Sequence, residues 1–429
     1  MNNRYQQSNS YLKRALKTIP LGSQTFSKSK TQFPYGISPY FIEKGNGSRV
    51  WDVDGNEYID FINGLLAVSL GYQDSDVDNA VLEQFNNGVT FSLPHPLEAQ
   101  LAEKIVEMVP CAEMVRFAKN GSDATSGAIR LARAYTGKDH VVVCGYHGWQ
   151  DWYIGSTSRS LGVPEATKAL THKFTYNDIS SLEQILNQFP NQVAAVILEP
   201  MNVVFPENNF LEKVKELTHN NGALLIFDET ITGFRLAHGG AQEYFNIIPD
   251  LATFGKGMAN GYPLSCLVGS REIMQLCEEI FFSFTFGGET LSLAASLAVL
   301  NKLKNEPVLD IIAERGRQLI VGVKELIAKL KIENILAIGG HPSWSFMLFN
   351  DVNGYSLWDV KTLWMQEIFA RGILSIGTHN LSYAHSEADI KHLLEIYSEI
   401  FPIIKDAVEN KKMLEYLRCE ILKPLFRVR

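Results

Sequence analysis

Lys256 stands between two glycines in the run Thr253-Phe254-Gly255-Lys256-Gly257-Met258, so its primary amine sits on a backbone that other groups can approach closely. Upstream, the apolar run Ala223-Leu224-Leu225-Ile226-Phe227 ends at Asp228, an acid at the kind of strand end where α/β sheets bind ligands. An amine condenses with an aldehyde, and a carboxylate keeps a pyridine nitrogen protonated so that the ring takes up carbanion electrons. The pair therefore points to pyridoxal 5'-phosphate, held by Lys256 as a Schiff base with Asp228 at the ring nitrogen. Taken alone, a solvated lysine and a helix-capping acid account for the same residues, so the reading needs further parts of one site.

Three more segments supply them. In Asn120-Gly121-Ser122-Asp123-Ala124-Thr125 a glycine turn opens a helix, and the free amides of Gly121 and Ser122 at its positive end suit a phosphate. Ordinary capping explains the same residue types. In Gly145-Tyr146-His147-Gly148-Trp149, just beyond the run Val141-Val142-Val143-Cys144, Tyr146 is placed to lie flat on the pyridine ring and keep water from it. His147 reads as a cofactor neighbour. It has no second nearby histidine, and no metal site is expected. Glu199 follows the strand Val193 to Leu198 and would face the same crevice, with a solvated strand-end acid as the alternative reading.

The elements that must hold these residues alternate strand with helix, with no internal repeat and no Pro/Ser-rich linker, which defines an α/β chain. Strands are expected at Val141 to Cys144, Val193 to Leu198, Ala223 to Phe227 and Ser265 to Val268, as short apolar runs of a parallel sheet covered on both faces. The helix after Gly121 carries Ala124, Ala128, Leu131, Ala132 and Tyr135 on one face and stops at Gly137. Near the end, Ser386 and Asp389 form a capping box for a helix bearing Ile390, Leu393, Leu394, Tyr397 and Phe401. A length of 429 residues with ordinary apolar and charged fractions accommodates two domains. A formal charge of -8 argues against a general affinity for nucleic acid or anionic lipid. The five cysteines form no Cys-x-x-Cys pair, as in reduced core thiols, and no apolar run spans a bilayer. A cytoplasmic location is expected, with small molecules as partners.

In this order the motifs resemble the class III pyridoxal-phosphate aminotransferases, and among them most of all glutamate-1-semialdehyde 2,1-aminomutase. The likeness runs through Trp51-Asp52-Val53-Asp54-Gly55, Asn120 to Thr125, Ala128 to Arg133, Tyr146-His147-Gly148, Glu199-Pro200, Asp228 to Arg235 and Lys256. It implies fold-type I: a large domain with a mainly parallel, seven-stranded-type sheet over 61–310, and a smaller α+β domain from an N-terminal segment, 1–60, and a C-terminal part, 311–429. It also implies a homodimer with shared active sites. Lys256 becomes the catalytic lysine, Asp228 the partner of the pyridine nitrogen, Tyr146 the stacking ring, and Gly121 with Ser122 the phosphate site. Thr285, in Phe284-Thr285-Phe286, becomes a threonine that reaches the phosphate of the neighbouring subunit.

Departures from the aminomutase set the expected reaction. Lys28 stands where its substrate-binding arginine is expected, without the planar two-donor fork that grips a carboxylate, and Leu65 stands where it has a tryptophan. The gate segment from Trp149 to Phe174 is shortened, and the stretch around Asn380 lacks an acid. These differences favour an aminotransferase that moves an amino group from a donor such as glutamate to a separate ketone or aldehyde. Thr25, Ser156, Thr378, His379 and Asn380 suggest a sugar-derived acceptor. Lys28, Leu65, Glu199 and Asn380 are the candidate substrate residues. Intramolecular transfer of the aminomutase kind, or amino-acid racemisation, would use the same cofactor residues and stays open as an alternative.

Overall fold

The six residues Val193–Leu198 are apolar throughout and all buried, a pattern satisfied by a strand covered on both faces of its sheet. That strand lies at the heart of a computed structural model that describes residues 3–423. The strands are β1 (Ile42–Asn46), β2 (Arg49–Asp52), β3 (Glu57–Asp60), β4 (Met114–Ala118), β5 (His140–Cys144), β6 (Thr171–Lys173) and β7 (Val193–Leu198). They continue with β8 (Leu224–Asp228), β9 (Leu251–Phe254), β10 (Ser265–Gly269), β11 (Leu336–His341), β12 (Trp344–Phe349), β13 (Ile373–Leu374) and β14 (Thr378–Asn380). The chain divides into two units, one running to Asp74 and resuming at Asp310, the other spanning Ser75–Leu309.

The Ser75–Leu309 unit holds a seven-stranded sheet in the order β4-β10-β9-β8-β7-β5-β6. Strands β6, β5, β7, β8 and β9 are parallel, while β10 runs antiparallel to both β9 and β4. The four apolar runs expected as strands are present, each within a residue or so of its expected ends. The sequence pattern passed over β4, β6 and β9, which are short and carry polar or partly exposed residues. Register pairs Cys144 with Leu198, Leu198 with Phe227 and Asp228 with Thr253, so the carboxyl ends of β5, β7, β8 and β9 finish side by side. The helix Gly121–Thr136 buries Ala124, Ala128, Ile129, Leu131 and Ala132 and ends at Gly137 in the left-handed conformation, as its stop signal predicts.

The other unit is α+β. It contains a sheet ordered β1-β2-β3-β13, with only β13 parallel to its neighbour, and an antiparallel sheet ordered β11-β12-β14. The helix Glu387–Glu409 starts at the expected capping box, Ser386 Oγ accepting from Asp389 N at 3.2 Å and Asp389 accepting from Ser386 N at 2.9 Å. Ile390, Leu393, Tyr397 and Phe401 of its apolar stripe are buried. Among the described residues, no helix is long and apolar enough to cross a membrane.

Two fully buried histidines make this unit sensitive to acid. His379 lies between Ser345 Oγ at 3.0 Å and the Tyr397 hydroxyl at 2.7 Å, and burial pulls its pKa down to about 3. Burial likewise lowers His385 to about 4. Both rings stay neutral in the folded chain while the unfolded chain binds protons below its ordinary value near 6.5. Their stabilisation is therefore complete above that value and declines as pH falls toward the lowered pKa values, by roughly 1.4 kcal/mol per pH unit for each ring. Thermal unfolding midpoints at pH 7 and pH 5 should fall less in His379→Gln than in the unsubstituted protein. An identical drop in both would refute the role given to His379.

Candidate active site

The parallel register brings four chain segments to one edge of the sheet: Tyr146 and His147 after β5, Glu199 after β7, Asp228 closing β8, and Lys256 two residues beyond β9. Asp228 is 5% exposed. Its Oδ2 accepts from His147 Nδ1 at 2.8 Å, and its Oδ1 from Thr230 N at 3.1 Å and the Thr253 hydroxyl at 3.2 Å. The other ring nitrogen of His147 faces Cys144 O at 3.1 Å, so both nitrogens meet acceptors and the ring acts as a donor toward Asp228. Burial pushes the Asp228 carboxyl up, but the His147 hydrogen bond and charge, with the Thr230 contacts, outweigh it and hold the group below its ordinary range.

Glu229, the next residue, has the opposite fate. It accepts from the Thr232 hydroxyl at 2.6 Å, Ala241 N at 2.7 Å and Gln242 N at 2.9 Å, yet complete burial dominates and raises its pKa. Of two adjacent acids, Asp228 is the one kept ionised at the sheet edge. Lys256 adopts φ +45°, a backbone conformation that costs a non-glycine residue of order 1 kcal/mol or more and marks a built turn.

Thr230 ties the parts together. A Cβ placed on Gly121 would lie 3.2 Å from the Thr230 hydroxyl oxygen, and one on Gly255 would lie 3.4 Å from its methyl carbon, while its own amide bonds Asp228. The start of the helix Gly121–Thr136, the residue before Lys256 and the strand-end acid thus meet around one threonine. Its Oγ1 is buried and near enough to Asp228 to favour that carboxylate's charged form, but it makes no well-formed hydrogen bond within the protein. The helix start is itself braced: Asp123 accepts from Asn120 N at 2.7 Å, which is the capping reading of this motif. The first amides, those of Gly121 and Ser122, have no carbonyl a turn earlier to bond, so the capping of this helix is compatible with an anion at its start.

The loop after β5 is pressed against that helix. A Cβ on Gly148, at φ +106°, would come within 2.5 Å of Ser122 Cβ, and Thr125 Oγ1 donates to His147 O at 2.8 Å. Trp152 Nε1 donates to Ser126 Oγ at 2.9 Å. Tyr146 stays exposed, edge-on to Tyr153 with ring centroids 5.7 Å apart. Glu199 is 6% exposed and accepts from Tyr146 N at 2.9 Å and Asn202 Nδ2 at 3.0 Å. Thr285 lies exposed in a loop with Phe281 and Phe286, also exposed.

A helix start compatible with an anion, a buried hydroxyl without a well-formed hydrogen bond beside it, a buried ionised carboxylate and a lysine on a turn fit the phosphate, ring nitrogen and aldehyde of pyridoxal phosphate. Sequence reasoning missed Thr230, Asn202 and Tyr153. Thr230 alone had a local signal, since a threonine two residues after a strand-end acid suits an amide-to-carboxylate turn.

Residues 28, 65 and 380 belong to the other unit. Lys28 is exposed at the end of a short turn, Phe26–Lys28. Leu65 sits in a left-handed turn in which Asn63, Gly64, Leu65 and Leu66 all have positive φ. Asp60 braces that turn by accepting from Ile62 N at 2.7 Å and Asn63 N at 3.1 Å. Asn380 Nδ2 donates to Ile62 O at 2.8 Å and Asn63 Nδ2 donates to Asn380 O. The side-chain oxygens of both asparagines are buried without a partner. Among the described residues, no group of three or more His, Cys, Asp or Glu side chains could hold a metal ion.

Fold and site together define a pyridoxal-phosphate-dependent transferase. The aminotransferase class-III family profile matches residues 32–383, and the chain belongs to that family. It is 34% identical over 417 residues to a 3-aminobutyryl-CoA aminotransferase of Cloacimonas acidaminovorans, covering 95% of this chain and 98% of the relative. It is 36% identical over 399 residues to the glutamate-1-semialdehyde 2,1-aminomutase of Sulfurihydrogenibium azorense, covering 86% and 93%. Among solved structures, the pyridoxal-phosphate form of the FumI protein from Sphingopyxis sp. MTA144 superposes with a TM-score of 0.87 at 28% identity, covering 94% and 97%. An omega-transaminase from Sphaerobacter thermophilus does so with 0.84 at 26% identity, covering 94% and 100%.

Proposed function

We propose that this chain is a two-substrate aminotransferase that moves an amino group from a small-molecule donor, glutamate being the expected one, to a separate ketone or aldehyde. The observation that carries the pyridoxal-phosphate chemistry of this reading is the buried Asp228–His147 pair at 2.8 Å, at the end of the strand paired with the one that leads into Lys256, and the choice of intermolecular transfer rests on the departures at Lys28 and Leu65. Bound pyridoxal phosphate supplies an electron sink for the pair left on the substrate carbon when its proton departs. Lys256 Nζ would hold the cofactor aldehyde covalently and, as a free amine, would take up and return the proton of the substrate carbon. Asp228 holds a proton at the pyridine nitrogen, and His147 fixes the carboxylate that does so. Gly121 and Ser122 bind the phosphate through their amides, and Tyr146 covers the ring and excludes water. Thr285 reaches the phosphate of the second subunit in a homodimer.

The substrate side rests on Lys28 and Leu65, with Asn380 bracing the turn that carries Leu65. The departures at Lys28 and Leu65 favour intermolecular transfer over the aminomutase reaction, and the similarity to a 3-aminobutyryl-CoA aminotransferase supports including β-amino compounds among the donors. A sugar-derived acceptor has less support than the polar residue types suggested, because His379 is engaged with Ser345 and Tyr397, and Asn380 with the 62–63 turn. The deciding experiment supplies nitrogen-labelled glutamate or 3-aminobutyrate with a panel of ketones and aldehydes and follows the label by mass spectrometry. Label in a separate acceptor is the expected result. Efficient conversion of glutamate semialdehyde to 5-aminolevulinate without any donor or acceptor would replace this reading with the aminomutase one.

A further inference from the structure

We infer that Glu199 is a positioning residue for Tyr146, acting through the backbone, and that its negative charge is not used on substrate. This rests on the proposed stacking of Tyr146 on the cofactor ring. The chain turns sharply after β5 at Gly145, φ +105°, and Tyr146 is the first residue past the turn. Its amide lies beyond the β5 ladder, and Glu199 Oε2 receives it at 2.9 Å across 53 residues of sequence. The same oxygen is fixed by Asn202 Nδ2 at 3.0 Å. The Glu199 amide, in turn, extends the β5–β7 ladder by donating to Cys144 O at 3.1 Å.

The fit leaves no slack. A Cβ at Gly145 would fall 2.5 Å from Glu199 Oε2, so only glycine lets the carboxylate reach the next amide. On the far side of the turn the Tyr153 hydroxyl donates to Gly145 O at 2.8 Å, and the Tyr153 ring stands edge-on to both Tyr146 and His147, with centroids 5.7 and 5.3 Å away. Glu199 and Tyr153 therefore hold the turn from opposite ends, one at the amide after Gly145 and one at its carbonyl. Through one backbone segment they set the plane of an exposed ring and the position of the buried histidine that bonds Asp228. A carboxylate so enclosed and so engaged is a poor candidate for gripping a substrate ammonium, the role its strand-end place suggested.

The test compares Glu199→Ala, Glu199→Gln and Tyr146→Ala as holoenzymes, reading the visible circular dichroism of bound pyridoxal phosphate, its dissociation constant, and kcat and KM separately. Glutamine keeps an oxygen for the Tyr146 amide and removes only the charge. Glu199→Ala should weaken cofactor binding about tenfold, the cost of removing the carboxylate that receives the Tyr146 amide, and should alter the dichroic band as Tyr146→Ala does. Glu199→Gln should keep both near those of the unsubstituted protein, and the Tyr146→Ala/Glu199→Ala double variant should be little worse than Tyr146→Ala. If Glu199→Gln raises KM as much as Glu199→Ala with the band unchanged, the charge acts on substrate and the inference is wrong. An unaltered band in Glu199→Ala alone overturns it too. An unaltered band in Tyr146→Ala would instead remove the stacking on which it rests.

Discussion

Lys256→Ala should keep the fold and lose turnover by roughly four or more powers of ten, because the covalent anchor and the proton carrier disappear in one substitution. The backbone argument supports an intact fold. Alanine meets the same cost at φ +45° as lysine, and the turn that imposes this angle is built by flanking residues. Borohydride reduction of the unsubstituted protein with its cofactor, followed by peptide mapping, should place the label on Lys256. Far-ultraviolet circular dichroism of the variant should match that of the parent. A label on another lysine, or substantial turnover in the variant, would remove Lys256 from the centre of the mechanism.

Asp228→Asn should damage chemistry far more than cofactor uptake. Asparagine preserves the size of the side chain and one oxygen that can accept from His147, while its Nδ2 takes the place of the oxygen that accepted from the Thr230 amide and the Thr253 hydroxyl, of which only the hydroxyl can turn round to accept. What it loses is the negative charge that the site works to retain against burial. Without that charge the pyridine nitrogen gives up its proton and the ring becomes a weaker electron sink. The half-reaction with an amino donor, followed as the cofactor absorbance shifts, should slow by roughly 10²–10⁴-fold. Equilibrium dialysis should find cofactor occupancy close to that of the parent. Full occupancy with an undiminished half-reaction rate would reduce Asp228 to a structural role.

The prominence of Asp228 over Glu229 illustrates how far the sequence could be read. Both acids follow the same apolar strand, and the position of Asp228 at its end was enough to propose it. Only the structure separates their protonation, because the difference lies in who donates to them: His147, from 81 residues upstream, favours charge on Asp228, while burial prevails at Glu229. Glu199 follows the same rule. Its strand end was visible, but its partner is an amide 53 residues away, separated from it along the chain by three helices, the edge strand β6 and β7 itself.

By itself the sequence determined the α/β class, the buried strands β5, β7, β8 and β10, the helix from Gly121 to its stop at Gly137 and the capping box at Ser386, and it pointed to pyridoxal phosphate with Lys256 and Asp228 as the residues proposed to hold it. These are local properties: apolar runs, capping residues and glycines act on backbone within a few positions, so their pattern can be read along the chain. The tertiary structure alone decided that β10 runs against both neighbours, that Thr230 joins Gly121 to Gly255 and Asp228, that residues 63–66 wind left-handed, and that His379 lies between Ser345 and Tyr397. Each depends on strand register and crossover path. These fix which distant groups meet, and hence which hydrogen bonds and burial each side chain receives, and no periodicity within a single segment encodes that.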